Sequence, residues 1–123
     1  MLFNHMVEQE SQNRLTEILK AASDPTRRAI LTLLAQHGAQ RVTKIAGHFE
    51  MSLNSVSKHI KVLEKAGLVI RRTEWREHLI EVQMDPLREI DRWFDDLRSI
   101  WAQRLEALDT LLTKEPDNDD DRK

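Results

Sequence analysis

Apolar positions recur every three or four residues over most of this chain, which predicts helices separated by short polar breaks. The segment QNRLTEILKAAS (12–23) indicates the first such helix, which we place at about 10–22. Asp24 then suits an N-cap and Pro25 suits a first helical position, so a second helix is predicted to begin there and to end near Gly38. The residues that its pattern directs inward are Ile30, Leu31, Leu33 and Leu34.

Two further helices follow in close succession. The segment RVTKIAGHFE predicts a third helix with Thr43 as its N-cap, and the segment from 53 to 66 predicts a fourth. Ser52 is the expected N-cap of the fourth helix, and Gly67 ends it. The third helix is expected to bury Ile45, Ala46 and Phe49. The apolar stripe of the fourth is expected to comprise Leu53, Val56, Ile60 and Leu63.

A β-hairpin is predicted next. The runs LVIRRT (68–73) and EHLIEVQ (77–83) have the composition of strands, and they flank a turn at Glu74, Trp75 and Arg76. A long helix without internal glycine or proline then starts after Met84.

This order of elements is that of a winged helix-turn-helix, so the predicted fold class is mostly α with a small β-hairpin and a long C-terminal dimerisation helix. We expect a single domain at 1–113, with the DNA-binding part at about 24–84 and dimerisation helices at about 10–22 and 86–113. The acidic tail at 114–123 lacks apolar residues and is predicted to be disordered.

The fourth helix predicts DNA binding. In a helix-turn-helix the second helix lies in the major groove with its N-terminal residues against base edges. A rotation of about 100° per residue places Asn54, Lys58 and Lys61 opposite the buried Val56. Asparagine can pair with adenine, lysine with guanine, and serine with a base or a phosphate. The DNA-binding residues that we assign, including a helix start and the wing, are Ser52, Asn54, Ser55, Ser57, Lys58, Lys61, Arg27, Thr43, Lys44, Arg71 and Arg76.

The charge distribution supports this division. The net charge is only −2, but residues 14–83 carry +5 and residues 84–123 carry −5. A basic middle can attract a polyanion, while the acidic end serves another purpose.

The long helix predicts a dimer interface. Its apolar residues follow a nearly heptad spacing from Leu87 to Leu112, and the helix is too long for one small domain to cover. Packing on the chain's own core accounts for Leu87 and Ile90. The residues assigned to the interface are Leu15, Ile18, Leu19, Trp93, Leu97, Ile100, Trp101, Leu105 and Leu108.

The phrases SDPTRRAILTLLAQHG, VTKIAGHFEMSLNSVSKHIKVLEKAGLV and REHLIEV resemble the ArsR family of bacterial winged-helix repressors over roughly residues 12–84. The last helix, with WFDDLRSIWAQRLEAL, is similar to the metal-independent branch of that family. The resemblance implies a dimeric repressor that contacts its operator through Asn54, Ser55, Ser57 and Lys58. The family's wing turn usually has glycine before arginine. Trp75 stands there in this chain, so we expect a wing tip that is longer or differently shaped.

Other function classes have little support in the sequence. The chain has no cysteine, and its five histidines are never spaced i, i+4, so we expect no metal and no cofactor. No nucleophile–base set or phosphate loop indicates an enzyme. No apolar run is long enough to cross a bilayer, and the expected location is the cytoplasm. The expected partners are an operator in double-stranded DNA, a second copy of the chain and an unidentified small-molecule inducer. The alternative is a winged-helix domain that binds protein.

Overall fold

The computed structural model describes the backbone of residues 2–121 and the side chains of residues 8–113. The elements in chain order are α1 (Leu2–Ala22), α2 (Pro25–His37), β1 (Gln40–Arg41), α3 (Val42–Ala46), α4 (Leu53–Lys65), β2 (Val69–Glu74), β3 (Glu77–Val82) and α5 (Asp85–Asp121). This confirms a mostly helical fold with a small antiparallel sheet and a long last helix. Contacts divide the described residues into two units that part between Ile90 and Asp91.

The starts of the helices agree with their capping signals in two cases and differ in one. Asp24 caps α2 and Pro25 is its first residue, while Ser52 caps α4, as predicted. The third helix begins earlier than predicted. Arg41 occupies its N-cap position without a side-chain hydrogen bond, so the assignment of Thr43 as an N-cap was wrong.

Gly67 turns the chain from α4 into β2. Its φ of 78° lies in the left-handed region that favours glycine. The N–H of Gly67 donates to the carbonyl of Glu64 at 3.0 Å, and the N–H of Leu68 donates to the carbonyl of Leu63 at 2.9 Å. These two bonds form a Schellman motif, which ends α4 and directs the chain into the sheet.

The core of the first unit collects apolar residues from four helices and the sheet. Ile18, Ile30, Ile45, Ile60 and Ile80 are each at most 1% exposed. The pattern of α2 is confirmed for Ile30, Leu31 and Leu34, whereas Leu33 is only partly buried. Also partly buried against this core are Ala46, Phe49, Leu87 and Ile90.

Two expectations about burial were wrong. Leu53 was expected in the buried stripe of α4, but it is 49% exposed because the core beneath α4 ends at Val56. Ile18 was assigned to a dimer interface, but it is 1% exposed and packs within the chain's own core.

The sheet has three strands in the order β1–β3–β2, all antiparallel. The hairpin of β2 and β3, called the wing below, was predicted, and Glu74 pairs with Glu77 across a two-residue turn. The short β1 strand was not predicted. It pairs Gln40 with Ile80 and Arg41 with Leu79, which fixes the start of α3 against the wing.

The acidic tail predicted to be disordered at 114–123 falls outside the described side chains, although the backbone of α5 is helical to Asp121. That expectation stays a prediction. Among the described residues, every helix is too short or too polar to span a bilayer.

Candidate nucleic-acid interface

The start of α4 is fixed by two serines. The backbone of Ser52 is extended, and its Oγ accepts a hydrogen bond from the N–H of Ser55 at 3.1 Å. The same hydroxyl donates to the Oγ of Ser55 at 3.0 Å. Ser52 therefore holds the helix start in place, and the hydroxyl proton of Ser55 remains able to donate outward.

The outer face of α4 is polar and basic. Val56, Ile60 and Leu63 are 0% exposed, and their burial fixes the rotation of the helix about its axis. Asn54, Lys58 and Lys61 then lie on the exposed side, as the spacing predicted. Within residues 8–113 these three side chains form no ion pair, and none is involved in a side-chain hydrogen bond. Ser57 lies beside them and is partly buried.

Arg27, at the start of α2, already forms hydrogen bonds with other groups of the protein. The Nε of Arg27 donates to the carbonyl of Ala21 at 2.6 Å, and its guanidinium also reaches the carbonyl of Lys20 at 3.2 Å. Arg28 likewise donates to the carbonyl of Ala22 at 2.8 Å. Both arginines thus satisfy carbonyl groups at the C-terminal end of α1, where cations also complement the helix dipole.

Arg27 also links α2 to the DNA-facing helix. Its guanidinium lies 3.3 Å from Nδ1 of His59 on α4, and that nitrogen is 3.8 Å from a carboxylate oxygen of Asp24. The N–H of Arg27 donates to the Asp24 carboxylate at 3.0 Å. This bond, with smaller contributions from the nearby His59 and Arg27 charges, holds the pKa of Asp24 below its ordinary value.

The wing carries fewer unpaired arginines than the sequence indicated. Arg71 forms two bonds to Glu64 on α4, at 2.8 and 3.4 Å, and these tie the wing to the helix. Arg72 pairs with Glu81 at 3.3 Å. Arg76 at the wing tip is exposed and has no acidic partner in the part of the chain that the structure describes.

A cleft of about 250 Å³ separates the start of α3 from the wing, and Arg41, Val42, Thr43, Arg71, Glu77 and His78 line it. Arg41 pairs with Glu77 at 3.0 Å across this cleft. Thr43 and Lys44, both assigned to DNA from the sequence, are exposed on α3. Arg41 was not assigned. Its proximity to the site follows from the pairing of β1 with β3, which the sequence did not reveal. His78 lies on the hairpin that the sequence predicted.

The comparisons with known proteins agree with this geometry. A family profile described as a helix-turn-helix domain matches residues 22–72. An uncharacterized HTH-type transcriptional regulator of Methanocaldococcus jannaschii is 36% identical over 88 residues, which are 72% of this chain and 99% of that protein. The arsenical resistance operon repressor of Staphylococcus xylosus is 33% identical over 85 residues, 69% of this chain and 81% of the repressor.

Solved structures give the same result. The ArsR family transcriptional regulator RHA00566 superposes with a TM-score of 0.69 at 31% identity, over 74% of this chain and 93% of that one. This chain belongs to the ArsR family of transcriptional regulators. A further relative is the homodimeric winged helix-turn-helix DNA-binding domain Mb0332 of Mycobacterium bovis, with a TM-score of 0.58 at 28% identity, over 75% of this chain and 81% of that one.

The wing of this ArsR-family protein is no longer than a minimal hairpin, and its turn carries an unusual residue. Trp75 occupies the first position of the two-residue turn with φ 61°, a left-handed conformation for which this turn prefers glycine. Its side chain is 96% exposed, so few contacts offset the strain. Of the two alternatives expected for the wing tip, the longer tip is wrong, and the turn differs instead in the left-handed backbone of Trp75.

Trp75→Gly is expected to raise the stability of the fold. Relief of the left-handed conformation should stabilise the fold by about 1–2 kcal/mol, and the greater entropy of glycine in the unfolded chain should destabilise it by about 0.4–1 kcal/mol. A net increase of roughly 0.5–1 kcal/mol in the free energy of unfolding should therefore appear in urea titration. Arg76→Gly is the matched control because its φ is not positive, and it should lower stability. A loss of stability in Trp75→Gly would contradict the assignment of strain.

Two of the histidines of this ArsR-family protein lie together. The rings of His37 and His48 stack with centroids 6.4 Å apart, although the residues are eleven positions apart in the sequence. Among the described residues, no group of three or more histidines, cysteines and carboxylates is close enough to hold a metal ion.

The part of α5 in the second unit exposes an apolar face. Trp93 is 39% exposed, Leu97 44% and Trp101 58%, and the same side continues through Leu105 and Leu108 at 48% each. Trp93 packs on Phe94 with ring centroids 5.1 Å apart. Ile100 is 62% exposed beside them. On α1, Leu15 and Leu19 are partly buried.

Proposed function

We propose that this ArsR-family regulator is a sequence-specific DNA-binding repressor that acts as a homodimer on an imperfect palindrome. In this proposal α4 enters the major groove and the wing lies against the flanking backbone. The observation that carries it is the face of Asn54, Lys58 and Lys61, which is exposed, basic and unpaired among the described residues. A buried stripe on the opposite side of α4 holds these side chains outward.

The assigned residues fall into three groups in this proposal. Asn54, Ser55, Ser57 and Lys58 meet base edges or nearby phosphates, since they lie in the first half of α4. Thr43, Lys44, Lys61 and Arg76 contact phosphates, which position the protein without reading sequence. Ser52, Arg27 and Arg71 support the site from within the protein, since their polar atoms already bind neighbouring groups.

The homodimer is supported by the exposed apolar face of α5, and by the homodimeric DNA-binding relative from Mycobacterium bovis. An uncovered stripe of this kind is stable when a second copy buries it. A two-fold axis would then place two α4 helices about 34–36 Å apart, one turn of DNA. The proposal includes no metal and no reaction, places the protein with the DNA in the cytoplasm, and leaves the identity of an inducing small molecule open.

Fluorescence anisotropy tests the function most directly. The protein is titrated into labelled DNA from upstream of its own gene and into a scrambled control, at several salt concentrations. Tight binding to one DNA, with a steep dependence on salt, is expected. If the native sequence gives no preference, an operator is selected from random DNA. Weak and equal binding to every DNA would instead favour a winged-helix domain that binds protein.

Asn54→Ala and Lys58→Ala are expected to weaken operator binding by about 1–3 kcal/mol for each lost base contact and to relax the preference for the operator. Both residues are exposed, so the free energy of unfolding should hardly change. Arg76→Ala supplies the contrast. It should weaken operator and scrambled DNA alike and reduce the salt slope by about one unit. Unchanged specificity in the first two variants would contradict the placement of α4 in the groove.

A further inference from the structure

The first residue of α4, Leu53, is apolar and exposed, and it lies at the N-terminal end of the helix just before Asn54. Leu53 is 49% exposed, and Met51 just before it is 37% exposed. Leu53 points in nearly the same direction from the helix axis as the fully buried Ile60. The core, however, reaches only as far as Val56 and stops one turn short of Leu53. Leu53 therefore extends past the core at the end of α4 that meets base edges in the proposed complex.

A single exposed leucine needs no special explanation on an ordinary surface. Val62 shows this, because it is 41% exposed near the other end of α4, in a cleft with Lys20 and Lys65. Leu53 differs because it is the first residue of α4, about 100° around the helix from Asn54, at the end that enters the groove in the proposed complex. A leucine placed there displaces water from a base edge and offers no hydrogen bond in return, which is costly against polar atoms.

We infer that Leu53 packs on the 5-methyl group of a thymine in each half of the operator, and so acts as a specificity-determining residue. Thymine is the one base that presents a methyl group in the major groove, and the other bases are distinguished there by their hydrogen-bond donors and acceptors. Asn54 beside it suits adenine. The N-terminal end of α4 then favours A·T pairs, and the lysine face one turn later favours guanine. This inference rests on the proposed function.

Replacement of single thymines by deoxyuridine in the selected operator tests the contact. This change removes only the 5-methyl group and leaves base pairing intact. One position in each half-site is expected to weaken binding about fourfold, the equivalent of one buried methylene, and the paired change in both half-sites about sixteenfold. In Leu53→Ala, operators with thymine and with deoxyuridine at that position should bind equally.

Val62→Ala is the matched control, because it removes an apolar side chain of similar exposure from the same helix, and it should keep the full thymine preference. Leu53→Gln provides a second variant of similar length that favours helix, and it should also lose the preference. Thermal unfolding verifies that each variant is folded.

The outcomes separate this inference from the proposed function. The inference is overturned if Leu53→Ala keeps the thymine preference, or if no deoxyuridine weakens wild-type binding. The proposed repressor function still stands in that case, provided that selective binding depends on Asn54 and Lys58. If the wild-type protein selects no operator from random DNA, the proposed function itself fails.

Discussion

Trp101→Glu is expected to dissociate the proposed dimer and to lower operator affinity by about a thousandfold or more. Trp101 lies in the middle of the apolar face of α5, between Leu97 and Leu105, and is 58% exposed in the single chain. A glutamate there would bring an unpaired charge into a contact between apolar faces, which is far costlier than the loss of packing alone. A monomer contacts one half-site only, so it loses the gain from simultaneous engagement of both.

Gln103→Glu is the matched control for this change. It introduces the same charge two residues away, about 200° around the helix from Trp101, and should leave the dimer intact. Sedimentation velocity gives the oligomeric state, and anisotropy gives the affinity for a full palindrome and for a half-site. A dimer that persists in Trp101→Glu would place the interface elsewhere. If the affinity for an isolated half-site also fell, the variant would have damaged more than assembly.

The helices of this protein could be predicted because their signals are local. Asp24 with Pro25, and Ser52, are capping signals that need no tertiary contact, and the structure confirms both caps. The buried faces of α2 and α4 follow from spacing alone for the same reason. A two-residue strand such as β1 has no period to detect, so Gln40 and Arg41 were not assigned to the sheet.

Periodicity gives the direction of a side chain but not the extent of the core. Leu53 shares the direction of Ile60 and was therefore expected to be buried, but nothing lies beneath it to bury it. Ile18 shows the opposite error. It was assigned to a contact with a partner chain, whereas it is buried in the core of its own chain, on a helix that contacts α2 and α4.

The charged residues of the interface could be located from the sequence, but their partners could not. An arginine at a helix start indicates an anion only when no neighbouring carbonyl or carboxylate engages it. Arg27 binds carbonyls six and seven residues earlier, and Arg71 binds Glu64 across a change from helix to strand. Such contacts depend on how elements pack. The exposure of Asn54 and Lys58 could be predicted without knowledge of the packing, because the position of the buried stripe on a helix also defines its outward face.

Arg27 therefore stabilises the fold, and its replacement should lower the free energy of unfolding. Arg27→Ala is expected to lower the free energy of unfolding by about 2 kcal/mol, the contribution of hydrogen bonds from a charged donor. The carbonyl of Ala21 depends on this side chain in particular, because Pro25, four residues later, has no N–H to offer it. The lost contact with His59 should also loosen the orientation of α4. Urea titration gives the stability, and anisotropy at several salt concentrations gives the number of phosphate contacts.

Two further variants distinguish a structural role from a phosphate contact. Arg27→Lys keeps the charge but not the planar fork that reaches two carbonyls and a histidine, so it should recover little of the lost stability. Arg28→Ala removes a more exposed arginine with a single carbonyl bond, so its loss of stability should be smaller. If Arg27 instead binds phosphate, Arg27→Lys should restore DNA binding, the salt slope of Arg27→Ala should fall by about one unit, and stability should hardly change. The structural role requires the reverse: lower stability with an unchanged salt slope for the molecules that remain folded.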